Sequence, residues 1–272
     1  MGRDNIKVNS KDRIKISSPE NNRVFKIFIV LMLLISIISI VNLHIEWGKL
    51  ISRFALLGGV FLKLLKFNFS NFNLILIGFA ESVEITILAT AYSILAGLVV
   101  GAIMAGNITP SRTLAVLFTS ISSFVRAVPT MIWVLLFLTC LRLGPVPAIL
   151  GLFLHSSAFF ARSFSESFEE VPEDVIEAVK ATGATGIQIF FSVILPASFT
   201  SLIAWIAMRF EINFGECSIF GMVGAGGIGY SIYSSLSSYN YGRAGISILL
   251  VFIFAYLIEI TFTTVKYNLK VN

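Results

Sequence analysis

The chain has 272 residues, 56% of them hydrophobic and only 13% charged, with a formal net charge of +5. A soluble domain carries about a quarter charged residues. This depletion, with a mean hydropathy of +0.89, excludes an ordinary cytosolic enzyme and points to a polytopic membrane protein. Nucleic acid is excluded as a partner, because the basic residues gather beside an apolar run and form no stripe interleaved with aromatics.

In chain order, residues 1–26 form a basic arm, with Arg3, Lys7, Lys11, Arg13, Lys15, Arg23 and Lys26 set against Asp4, Asp12 and Glu20. Positive charge beside a membrane segment marks a cytoplasmic flank, which predicts an N-terminus inside. Residues 27–73 are expected to hold the first transmembrane helix and an external amphipathic linker. The apolar run Ile27–Val41 has no small-x-small cleavage site at its end and reads as an uncleaved anchor. The linker HIEWGKLISRFALLGGVFLKLLKF sets apolar residues on one face and Lys49, Arg53, Lys63 and Lys66 on the other, the pattern of a helix lying on a membrane surface.

Residues 74–272 are expected to form the membrane core. Crossing ~30 Å of hydrocarbon takes about 20 apolar helical residues. Including the anchor, six segments qualify: Val24–Leu43, Ile77–Ala105, Thr113–Leu141, Val146–Phe164, Phe199–Met222 and Ile246–Val265. The third contains Pro129, which removes a backbone donor and is expected to kink it. The fold class is therefore all-α, with about six transmembrane helices and both termini cytoplasmic.

The most polar connection is 162–196, between the fourth and fifth segments and on the cytoplasmic side of this topology. Pro172 suits the first turn of a helix, and Glu173, Asp174 and Glu177 suit its positive end. Gly183 suits its stop. Thr185 is placed to cap a second short helix, Gly186–Ile194, before Pro196 returns the chain to the membrane. A helix–turn–helix at the cytoplasmic face is predicted.

Ionisable groups at membrane depth are costly unless paired or facing water. Arg126, His155, Arg209, Glu211 and Glu216 lie within or near the apolar segments, and Glu81 and Glu84 near the start of the second. Arg126, His155, Arg209 and Glu211 are the candidates for a substrate pathway; structural pairing or snorkelling is the competing reading. Arg209 and Glu211 are two apart, so on a helix they point in different directions. After the fifth segment comes GMVGAGGIGYS, in which Gly224, Gly226 and Gly229 spell G-x-G-x-x-G. It follows a membrane helix rather than a β-strand, and the next acid is Glu259, too distant for ribose binding, so the dinucleotide reading falls. Gly224, Gly226, Gly227 and Gly229 are candidates, with Pro129, for a gate or hinge. No catalytic or metal site is expected. Cys140 and Cys217 lack paired spacing, His44 and His155 are the only imidazoles, and no Ser/His/Asp constellation occurs.

The connection reads Glu177-Ala-Val-Lys-Ala-Thr-Gly183, nine residues, then Val193-Ile-Leu195-Pro196. This resembles the E-A-A loop of ABC importer permeases, with Val179 in place of the second alanine and Val193 in place of isoleucine. RAVPTMIW (Arg126–Trp133), LHSSAFFARSFSESFEEV (Leu154–Val171) and RFEINFGECSIFGMVGAGGIG (Arg209–Gly229) are similar to the phosphonate-type, PhnE-like branch, a likeness running from about Ser82 onward. The resemblance implies a homodimer in the bacterial inner membrane, working with a cytoplasmic ATPase dimer and a periplasmic or lipid-anchored solute-binding protein. It implies no cofactor on this chain, ATP and Mg on the partner ATPase, and lipid as the surrounding solvent. Glu177, Ala178, Gly183, Leu195 and Pro196 would then form the element that couples to the ATPase. A permease for methionine or another amino acid is the alternative within the class. A secondary transporter predicts inverted repeats, of which the two halves show none, and a membrane enzyme has no supporting constellation.

Overall fold

The computed structural model describes residues 19–109 and 111–271; most of the basic arm, residues 1–18, lies outside them. The described residues are helical, without a strand. The chain divides into two compact units, the first ending at Gly59 and the second beginning at Val60.

The first unit contains α1 (Pro19–Asn42). Its stretch Arg23–Asn42 has a mean hydropathy of 2.9 and is long and apolar enough to cross a membrane. A second helix, α2 (Trp47–Leu64), crosses the unit boundary and also has no buried residue. Leu50, Phe54, Leu57 and Phe61 recur at helical spacing and are exposed, flanked by Lys49 and Arg53, so the linker is one amphipathic helix as its pattern predicts.

The second unit is built on two long helices, α3 (Phe72–Met104) and α6 (Pro145–Glu169). They lie close because α3 presents Gly97-x-x-x-Gly101 to α6, the small-residue spacing that lets membrane helices approach. A Cβ at Gly97 would overlap the Cβ of Phe160, and one at Gly101 would sit 3.0 Å from the Ala161 carbonyl. Phe160, Phe164 and Phe168 form an i, i+4, i+8 stripe on α6 and are fully buried. With Ile176, Ile189, Ile194 and Leu202 they make one core. A second core gathers Ile85, Ala89, Val134, Leu152, Cys217 and Phe220.

Three expectations are refined or corrected. The third apolar segment bends at Pro129 as expected, but as a full break rather than a mild kink: α4 (Arg112–Ala127) and α5 (Thr130–Leu141) meet at 87°. Proline excludes its predecessor from the helical region, and Val128 is extended at φ −89°, ψ 124°. The described residues thus hold five spans, or six if the bent pair counts as one. The polar connection is also shorter than 162–196, because α6 continues to Glu169. Its serines are not solvated: Ser163, Ser165 and Ser167 are buried. The Ser167 carbonyl accepts from Ser198 Oγ at 2.9 Å and Ser167 Oγ accepts from Trp205 Nε1 at 3.2 Å. Finally, Pro196 does not restart the chain. Past α7 (Glu173–Lys180), the helix α8 (Gly186–Ile189) runs through a π-helical turn, Phe190–Ile194, into α9 (Leu195–Phe220). A proline ring collides with the carbonyl four residues earlier in an α-helix; the wider turn, in which Leu195 N–H donates to Phe190 O, accommodates it. The fold closes with a 3₁₀ turn, α10 (Ile228–Ser237) and α11 (Tyr241–Val271).

Candidate functional site

The broken span positions the charged centre. Trp133 on α5 donates from Nε1 to the Val125 carbonyl of α4 at 3.1 Å, which fixes the corner. Thr130, the first residue of α5, then meets α9, donating from Oγ1 to Glu216 Oε1 at 3.2 Å. The Glu216 carboxylate therefore lies at the positive end of α5, which favours its charge.

Arg209 is buried on the same face of α9 as Glu216, two turns away. Its Nη2 lies 3.5 Å from Glu216 Oε2 and 3.0 Å from His155 Nδ1. Its Nε donates to Ser156 Oγ at 2.9 Å. Ser156 Oγ in turn donates to Asn213 Oδ1 at 2.9 Å, and Asn213 Nδ2 donates to Thr90 Oγ1 at 2.9 Å. An arginine near the middle of a span costs about 2.5–3.5 kcal/mol; this network across α3, α6 and α9 offsets that cost.

Arg126 joins the cluster from the end of α4. Its guanidinium carbon is 5.9 Å from the centre of the Phe159 ring, and that of Arg209 is 5.6 Å from the same ring. Both distances are in the range of a cation–π contact. Of the predicted pathway residues, Arg126, His155 and Arg209 thus converge. Glu211 does not: it is exposed on the other face of α9, lining a separate groove with Glu259 of α11. The pairing of Arg209 with Glu216 was not singled out from the sequence. Their seven-residue separation, with Asn213 between them at four, places all three on one helical face and is the signal that finds it. Two guanidinium groups against one carboxylate leave a local surplus of positive charge.

The predicted coupling residues lie at one end of the second unit. Glu177 and Ala178 are exposed on α7, which is anchored beneath by buried Ile176. Gly183 has φ +87° and ends the turn after α7. Thr185 N–H donates to Gln188 Oε1 at 2.8 Å, closing a capping box at the start of α8. Leu195 and Pro196 follow the π turn and are not part of the exposed loop. At the turn after α3, Gly106 N–H donates to Glu169 Oε1 at 2.7 Å and Asn107 Nδ2 to Phe168 O at 2.8 Å, tying α3 to the foot of α6.

The glycine run lies at the opposite end. Gly224, Gly226 and Gly227 have φ of +91°, +79° and +84°. Gly229 opens α10 and packs on the Ser218 carbonyl and on Gly221. The first N–H groups of α10 are capped from α3: Gly227 N–H donates to Glu81 Oε2 at 2.7 Å and Ile228 N–H to Ser82 Oγ at 2.9 Å. The run is an ordered packing surface rather than a loose connection. Pro129, the remaining gate candidate, is exposed at the α4–α5 corner.

Residues 97–269 match the family described as "Binding-protein-dependent transport system inner membrane component". Over 180 residues, 66% of this chain, the sequence is 32% identical to the phosphate-import permease protein PhnE of Mycolicibacterium smegmatis, of which it covers 34%. It is 31% identical over 180 residues to the phosphite transport system permease protein PtxC of Stutzerimonas stutzeri, covering 66% of this chain and 65% of that one. The chain therefore spans about a third of the first relative and just under two thirds of the second. Among solved structures, the inward-facing MetNI methionine ABC transporter is similar with a TM-score of 0.64 and 26% identity, over 69% of this chain and 92% of that one.

Proposed function

The chain belongs to the binding-protein-dependent transport system inner membrane component family, and on that premise we propose that it is the transmembrane permease subunit of an ATP-driven importer of a phosphorus oxyanion, phosphonate, phosphite or phosphate. The observation that carries the permease reading is the exposed helix α7, which presents Glu177 and Ala178 on a short, capped loop anchored to a continuous helix into the membrane. A small surface admits a close partner, and a carboxylate adds a charge-assisted hydrogen bond at the contact. Closure of an ATPase dimer beneath two such permeases would move α7 as a rigid body and switch access from outside to inside. Hydrolysis belongs to that partner, and selection of the solute to an external binding protein. In this reading α7 faces the cytoplasm, both chain termini lie on that side, and the glycine run lies outside.

The substrate class is supported by the names of the phosphate and phosphite permeases that the chain resembles, and by the positive surplus of Arg126 and Arg209 beside the α5 N-terminus. The likeness to the methionine transporter supports an amino acid as the second reading. Reconstitution with the partner ATPase and binding protein separates them. ATP-dependent uptake of phosphite or methylphosphonate is expected. Uptake of methionine alone would overturn the substrate class, and failure to hold an ATPase subunit through purification would overturn the permease reading.

A further inference from the structure

A cavity of about 500 Å³ opens at the end of the second unit opposite α7, between the first turns of α3 and α11 and the glycine run. Its size is in the range of small-ligand sites. Two opposite charges line it, Glu81 from α3 and Arg243 from α11, with the hydroxyls of Tyr230 and Ser231 between apolar walls. The two charges do not meet in an ion pair, although opposite charges in one recess gain by pairing. Glu81 is held by the Gly227 N–H on Oε2, and its other oxygen has no hydrogen-bond partner among the described residues. Arg243 has an enclosed Nε with no hydrogen-bond partner.

We propose that this cavity is an outer subsite for a short zwitterion, with Arg243 binding its oxyanion and Glu81 its ammonium group. A ligand charged at both ends meets the Arg243 guanidinium and the free carboxylate oxygen of Glu81 together, which neither a plain anion nor a plain cation does. The subsite takes its direction from the permease reading: it is where a solute arriving from outside first meets the chain, before the Arg126–Arg209 centre. Two sources share this chemistry, aminoalkylphosphonates and α-amino acids.

The test is equilibrium binding to the full chain in lipid nanodiscs, with 2-aminoethylphosphonate, methylphosphonate and alanine as probes. Glu81→Gln preserves the shape and the acceptor for Gly227 N–H and removes only the charge. It is expected to weaken 2-aminoethylphosphonate about tenfold, the worth of one charged hydrogen bond, and to leave methylphosphonate unchanged or tighter. Arg243→Gln is expected to weaken both phosphonates. If alanine alone shows the Glu81 dependence, the zwitterion is an amino acid and the subsite stands. Equal responses of all three probes to Glu81→Gln, or indifference of every probe to Arg243→Gln, would overturn it. Uptake is scored separately. Transport without Glu81-dependent binding removes the subsite and keeps the permease, whereas such binding without transport does the reverse.

Discussion

The two ends of the second unit are held by opposite means. At the α7 end, bulky side chains fill the core: Phe164, Phe168, Ile176, Ile189 and Ile194 are buried, and the loop above them is exposed and acidic. At the α10 end, backbone packs on backbone: Gly221 and Gly229 meet at a distance no side chain permits, and α3 side chains cap the helix that follows. The first design leaves a surface that a partner can grip without disturbing the core. The second leaves no slack, so α10, the end of α9 and the start of α3 move together or not at all.

The sharpest way to break this contrast is Gly229→Val. Even a Cβ there overlaps the Ser218 carbonyl and comes within 3.0 Å of Gly221 Cα. Neither is the end of a flexible side chain, so the backbone must shift, at a cost of about 3 kcal/mol. Reduced accumulation in the membrane and a lowered Tm in detergent are expected. Normal accumulation would show that the α10 end is looser than its packing implies.

Gly183→Val probes the other end and is expected to be milder. The space around Gly183 is open, with nothing within 4 Å of a Cβ, and the cost comes only from φ +87°. A left-handed residue costs about 1–2 kcal/mol, more toward the upper figure for a β-branched side chain. The loop is expected to lose its turn while the spans keep their stability, so accumulation is normal and uptake falls. A drop in Tm as large as that of Gly229→Val would erase the distinction between the two ends.

How much of this was legible in the chain follows from the range of each interaction. The α7 loop was, because Pro172, Gly183 and the Thr185 cap act within a few residues of themselves. The end of α6 was not: residues 162–169 fell in the polar connection, whereas Ser163, Ser165 and Ser167 are buried in the helix and α9 bonds Ser167 through Ser198 and Trp205. The break at Pro129 was anticipated as a kink; its 87° angle depends on Trp133 reaching back to Val125. Arg126, His155 and Arg209 were each chosen for charge at membrane depth, but their convergence rests on three helices and a shared ring. Glu216 was passed over because its value lies in its partners: Arg209, two turns away on α9 and held by His155 and Ser156 of α6, and Thr130, which the α4–α5 corner brings to it.

The smallest structural change tests the largest functional claim. Glu177 is exposed on α7 and forms no ion pair among the described residues. Surface substitutions of this kind stay within about 0.5 kcal/mol, so Glu177→Lys is expected to leave Tm and accumulation unchanged. It reverses the charge offered to a partner, and a like charge or an unpaired group at a docking contact costs several kcal/mol. Uptake and co-purification of the ATPase are therefore expected to fall together while the isolated permease remains intact. Transport at the wild-type rate would mean that α7 is an ordinary solvated turn, and that the well-packed core beneath it was not built to present a docking surface.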